Sequence, residues 1–142
     1  MGITIKSKLH NIDMGCSHFY HLRKNIAYAI SDDVGKAYEE LFWHYMDVNP
    51  SPEKEKQLAK TYQTAMYATE RDYHLVHGFL WASDCGGRRS AKTCAQILEL
   101  IQRLDDDIKI GYPGWGEHCA KMSDFKQILK DCIENNTMMK WY

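Results

Sequence analysis

A glycine pair interrupts the helical pattern of this chain within residues 78–94, GFLWASDCGGRRSAKTC. Gly86 and Gly87 can adopt positive φ angles, so the pair predicts a turn between one helix and the next. Ser90 follows as a predicted N-cap, because its hydroxyl can accept hydrogen bonds from amide groups of the next helical turn. The chain is therefore expected to reach this corner as helix and to leave it as helix.

Three basic residues surround the predicted corner. Arg88 and Arg89 precede Ser90, and Lys92 lies in the first turn of the helix that Ser90 would cap. A helix N-terminus carries partial positive charge and unpaired amide groups, so together these groups suit a phosphate or a carboxylate. The alternative is a helix–loop–helix corner whose basic residues are simply solvated.

Two loop motifs come close to matching here, and each fails at a required position. A P-loop requires a glycine before its lysine, whereas Ala91 precedes Lys92. An EF-hand loop with Gly87 at its sixth position would have Thr93 at its twelfth, where calcium binding requires a glutamate. Neither nucleotide hydrolysis by a P-loop nor calcium binding is expected.

Composition and charge restrict the class of protein. The chain has 142 residues, of which 44% are hydrophobic, enough for one globular domain over residues 1–142. A net charge of −1 gives no general reason to bind nucleic acid, although local basic patches remain compatible with it. No apolar run reaches the length of a transmembrane helix, and the five cysteines are odd in number. A cytoplasmic protein with no membrane partner is expected.

Apolar residues recur at helical spacing along most of the chain, which predicts a mainly α fold. We expect a single-domain bundle of about five helices with a short N-terminal extended arm or minor β hairpin. The helices cover roughly residues 17–30, 32–49, 51–80, 90–104 and 123–133, with a bend or break near Thr69. Ile3 and Ile5 alternate with polar residues, which indicates a strand that pairs with residues 107–112 or lies over the helices. The tail MMKWY is expected to dock on the core.

A glycine-rich loop, GYPGWG, occupies residues 111–116. Its Tyr112 and Trp115 offer faces on which a base or a partner side chain could stack. If the chain folds back after the fourth helix, the loop joins the basic corner in one surface; otherwise the two rings pack the loop onto the core. The ligand-binding hypothesis comprises Gly86, Gly87, Arg88, Arg89, Ser90, Lys92, Tyr112 and Trp115.

These features favour a non-enzymatic binding protein for a small anionic or nucleotide-like ligand or a protein partner, with no cofactor. Two alternatives stay open. A metal-dependent hydrolase could use His74 and His77 as zinc ligands on one helix face, with Cys85 and Cys94 completing the site. A structural homo-oligomer, most simply a homodimer, could form through the aromatic tail and the apolar stripe of the second helix.

Five segments carry a resemblance that covers most of the chain. They are residues 79–94, the opening GITIKSKLHNIDMG, the later GYPGWGEHC and SDFKQILKDC, and the ending MKWY. Together they resemble a group of small uncharacterised proteins found in bacteria and their phages. The resemblance implies a phage or mobile-element accessory factor that acts by binding, and it implies no activity, cofactor or site residue.

Overall fold

The computed structural model describes residues 2–110 and 120–142. Within these ranges it contains six helices and one four-stranded antiparallel sheet, so the predicted mainly α fold with a minor β component is confirmed. The elements are, in chain order, β1 (Gly2–Lys6), β2 (Asn11–Gly15), α1 (Cys16–Ile30), α2 (Asp32–Tyr45), α3 (Pro52–Tyr67), α4 (His74–Leu80), β3 (Gly87–Arg89), α5 (Ala91–Ile101), α6 (Met122–Asn135) and β4 (Met139–Trp141).

The sheet joins the two ends of the described chain. Its strand order is β2-β1-β4-β3, with β1 and β2 forming a hairpin and β4 inserted between β1 and β3. The prediction that the first strand pairs with residues 107–112 is wrong, because β1 is occupied on both sides by β2 and β4. Lys109 instead forms an isolated bridge with Lys121, and residues 111 and 112 lie outside the described ranges.

The two faces of the sheet differ sharply. Side chains alternate along each strand, and Ile3, Ile5, Met139 and Trp141 are buried on the face that packs against α1 and α6. Lys6 and Lys140 alternate with them and are exposed on the opposite face, which we call the outer face. The predicted docking of the C-terminal tail is confirmed, since β4 is a central strand whose apolar residues belong to the core.

Local sequence signals place the helices. The hydroxyls of Ser31, Ser51 and Ser90 each accept a hydrogen bond from an amide of the following helix, at 3.1, 3.4 and 3.4 Å. The N-cap at Ser90 was predicted from the sequence and is confirmed. The predicted third helix breaks, because α3 ends at Tyr67 and α4 begins at His74. This break near Thr69 raises the number of helices in the described residues from the expected five to six.

The corner at residues 86–90 differs from its prediction. It is not a turn between two helices, because residues Gly87–Arg89 form the edge strand β3, paired with β4. Gly86 has a φ of 152°, a conformation that favours glycine, and it turns the chain into this strand. The pairing partner lies some fifty residues later in the sequence, so the local pattern around the glycine pair did not reveal the strand.

A buried aspartate holds the turn between β1 and β2 against α6. The carboxylate of Asp131, 4% exposed, accepts hydrogen bonds from the Ser7 hydroxyl at 2.5 Å and from the Leu9 amide at 2.7 Å. The side-chain amide of Asn135 donates to the same carboxylate. These hydrogen bonds, that of Ser7 first, lower the pKa of Asp131 below the ordinary aspartate value of 3.8.

We expect the variant Asp131→Asn to be less stable than the wild type at neutral pH. Because the folded-state pKa is depressed, the stabilisation is complete above the unfolded-state pKa and is lost as the pH falls through the folded-state pKa. Urea unfolding should therefore show a stability gap between wild type and variant that narrows from about pH 5 to about pH 2. Glu134→Gln, at an exposed carboxylate of α6, is the control. A difference in stability between wild type and Asp131→Asn that stays constant over this pH range would contradict the lowered pKa of Asp131.

Candidate functional site

Three cations form a continuous row across the outer face of the sheet. Lys6 of β1 lies opposite Lys140 of β4, and Lys140 lies opposite Arg88 of β3. All three residues are exposed. Because neighbouring strands are about 4.8 Å apart, the backbone positions of this basic row span about 10 Å.

Lys8 adds a fourth positive charge at one end of the basic row. It lies in the turn between β1 and β2, which Asp131 fixes through Ser7 and Leu9. An open cavity of about 370 Å³ is lined by the basic row and Lys8 together with Ser7, Thr137 and Met138. Four cations thus lie along one open cavity of the outer face.

Among the described residues, no neighbouring acid neutralises these four cations. In the part of the chain that the structure describes, none of them has a carboxylate within 4.0 Å, whereas several other lysines and arginines do. Like charges that lie directly opposite each other on adjacent strands destabilise a sheet. We therefore expect the basic row to lower the stability of the fold, and a bound ligand with negative charge would relieve the repulsion.

Arg88 and Arg89 lie on opposite faces of β3, although both were predicted to belong to one ligand-binding surface. Arg89 is partly buried, and its guanidinium donates a hydrogen bond to the carbonyl of Gly78 in α4 at 2.9 Å. It also lies 5.4 Å from the ring centroid of Trp141. Arg89 therefore supports the fold beneath the sheet, and only Arg88 contributes to the basic row.

Trp141 supports the basic row from below. Its indole nitrogen donates to the carbonyl of Ser83 at 2.9 Å, and its ring lies so close to Gly87 that a Cβ atom there would clash with the ring. The glycine at position 87 is thus required by the close approach of an aromatic ring. This contact fixes β3 to β4 and with it the positions of Arg88 and Lys140.

The remaining residues of the ligand-binding hypothesis have separate roles or lie outside the described ranges. Ser90 caps α5 through the amide of Thr93, and Lys92 is exposed in the first turn of that helix. Tyr112 and Trp115 lie outside the described residues, so their proximity to the corner stays a prediction.

The two histidines of the zinc hypothesis are engaged in other contacts, and its two cysteines differ in burial. Nδ1 of His74 lies 3.0 Å from the carboxylate of Asp72, and Nδ1 of His77 lies 2.9 Å from the hydroxyl of Tyr62. Burial raises the pKa of the Cys94 thiol to about 12, with nearby Cys132 adding to the shift, whereas Cys85 is exposed. Over residues 2–110 and 120–142, no three His, Cys, Asp or Glu side chains are grouped so as to hold a metal ion. The metal-dependent hydrolase stays a prediction.

The homodimer hypothesis also stays a prediction. The C-terminal part of the tail is used within the chain, since Trp141 is buried in the core. Apolar side chains remain exposed at the end of α2 and just after it, namely Trp43, Tyr45, Met46 and Val48. If the protein forms a homodimer through its second helix, these exposed side chains would lie in the interface.

Comparison with known proteins gives no relative from which a function could be transferred. No family model, no curated protein and no solved structure matches this chain. The resemblance to small bacterial and phage proteins therefore stays a prediction. Among the described residues, no helix combines the length and the apolar character needed to cross a membrane.

Lys6, Lys8 and Lys140 were not predicted from the sequence as members of a site. A signal was present, because Ile3, Ile5, Met139 and Trp141 alternate with polar residues, as expected of strands with one buried face. The same alternation places Lys6 and Lys140 on the exposed face. The alternation does not reveal that these two strands pair, since β1 and β4 lie at opposite ends of the described chain.

Proposed function

We propose that this protein is a non-enzymatic binding protein for a polyanion, a ligand with several phosphate groups, which it binds on the outer face of its sheet. The observation that supports this proposal is the basic row: Lys6, Lys140 and Arg88 lie side by side in register, exposed and without ion-pair partners among the described residues. Phosphate groups bound by lysine and arginine would replace the missing counter-charges.

The arrangement favours several negative charges over a single one. The cations project from three adjacent strands and from the turn that carries Lys8, so they are spread along a line and do not surround one point. A single phosphate would neutralise only part of this line and leave the remaining repulsion in place. A ligand with regularly spaced phosphates would neutralise all of it.

The proposed site differs from the helix N-terminus that the sequence suggested. Arg88 is common to both, whereas Gly86, Gly87 and Arg89 serve the proposed site by shaping β3 and seating it on Trp141. The positive charge comes from three strands and a turn, and the dipole of α5 is not needed for it.

We expect the protein to bind inorganic polyphosphate with an affinity that falls steeply as salt is added. Neutralisation of phosphates by three or four cations releases condensed counterions, so a plot of log affinity against log salt concentration should have a slope of about −2 to −3. Isothermal titration calorimetry at several sodium chloride concentrations measures this slope, and single orthophosphate ions should bind far more weakly. Absence of polyphosphate binding at low salt, or binding that salt does not weaken, would contradict the proposal.

A further inference from the structure

An exposed aromatic residue lies next to the basic row on the outer face. Tyr142 continues the β1–β4 ladder, because its amide donates to the carbonyl of Thr4 at 3.1 Å and its carbonyl accepts from the amide of Thr4 at 2.9 Å. It follows Trp141, whose ring is buried, and is itself 62% exposed. By the alternation of a strand, Tyr142 shares the face of Lys140.

The outer face thus has two parallel rows of different chemistry. The basic row carries positive charge, and the second row contains Tyr142 and Thr4, with Asp13 beyond them. The carboxylate of Asp13 is engaged, since the Thr4 hydroxyl donates to it at 2.6 Å. Two residues along a strand separate the rows, which is a distance of about 7 Å.

We propose that the polyanion bound here is a single-stranded nucleic acid, whose phosphates contact the basic row and one of whose bases stacks on Tyr142. This inference rests on the proposed function. In a nucleotide, one sugar separates the phosphate from the base, so a chain of nucleotides presents a charged line beside a line of flat rings. The basic row together with the single ring of Tyr142 fits the phosphates of such a chain and one of its bases, and single strands expose their bases for such stacking.

Other polyanions would contact the basic row but would not stack on Tyr142. Inorganic polyphosphate has charges but no ring that could stack on Tyr142. In a duplex the bases are stacked on one another and paired, so a tyrosine on an open sheet reaches only the backbone and the groove edges. An anionic membrane would also meet the cations, and the exposed Leu9 and Met138 near them make it an outcome that the test must separate.

The test compares three probes on the wild-type chain and on two variants. The probes are a short oligothymidylate, inorganic polyphosphate of matched charge, and vesicles that contain phosphatidylserine. The variants are Tyr142→Ala, which removes the ring, and Tyr142→Phe, which keeps a stacking face. Because Tyr142 is exposed, both variants should fold, and thermal unfolding checks this.

We expect Tyr142→Ala to weaken oligothymidylate binding by about tenfold or more, while polyphosphate binding is unchanged and Tyr142→Phe retains the wild-type affinity. If polyphosphate binds but oligothymidylate binding is absent or insensitive to Tyr142→Ala, this inference is wrong and the proposed function stands. If neither polyanion binds, both are wrong. Binding to the vesicles in preference to the oligonucleotide would also overturn the inference, since it assigns the outer face to a membrane.

Discussion

Replacing Trp141 with alanine should lower the free energy of unfolding by about 3–5 kcal/mol, the range typical of removing a large aromatic side chain from a protein core. Trp141 is only 2% exposed and packs against Phe79 and Phe19, with ring centroids 5.5 and 6.2 Å away. The substitution also leaves the carbonyl of Ser83 without its donor and Arg89 without the ring beneath its guanidinium. The loss therefore combines a cavity with two broken polar contacts.

Urea unfolding measures this loss, and the neighbouring residue supplies a matched control. Tyr142→Ala removes an aromatic ring from the next position, but from the exposed face, so it should change stability by no more than about 0.5 kcal/mol. Trp141→Phe keeps part of the ring and loses the hydrogen bond to Ser83, so an intermediate value is expected; it also remains measurable if the alanine variant does not fold. Equal stability of Trp141→Ala and Tyr142→Ala would contradict the burial of Trp141 beneath the sheet.

The two sides of β4 explain why stability and binding can be separated in this protein. Trp141 faces the core and holds β3 and β4 together through its contact with Gly87. Lys140, one residue earlier, faces outward and is not part of the core. Substitutions on the core side of β4 should therefore change the stability of the fold. Substitutions on its outer face should change the affinity for the ligand.

Local sequence signals predicted the helical part of the fold well. The Ser90 cap and the break near Thr69 each depend on residues within one or two helical turns of each other, so the local sequence is enough to predict them. The alternation of Ile3 and Ile5 likewise indicated a strand, although it did not identify the partner of that strand.

The candidate site was harder to predict because long-range pairing creates it. β3 has only three residues, two of them the arginines that the sequence analysis placed together at a helix N-terminus. Once β3 pairs with β4, the period of two in a strand sends Arg88 outward and Arg89 toward Trp141. Lys6 and Lys140 become neighbours only through the β1–β4 pairing, and no local pattern around either lysine reveals it.

Reversing the charge of Lys140 should abolish most of the polyanion binding without weakening the fold. Lys140 is the middle member of the basic row, so Lys140→Glu turns an attraction for phosphate into a repulsion. The lost attraction and the new repulsion each cost about 1 kcal/mol of binding free energy in water, so the affinity should fall on the order of thirtyfold. In the free protein the new glutamate lies between Lys6 and Arg88, where opposite charges replace like charges, so stability should stay equal or rise slightly.

The most direct measurement is the affinity of Lys140→Glu for inorganic polyphosphate at low salt, beside that of Lys56→Glu. Lys56 is an exposed residue of α3, a helix that packs against α2, so the two variants change the net charge equally but at different places. We expect Lys140→Glu to lose binding on the order of thirtyfold and Lys56→Glu to bind nearly as the wild type does. Equal losses in the two variants, or no loss in either, would show that the outer face of the sheet is not the binding site.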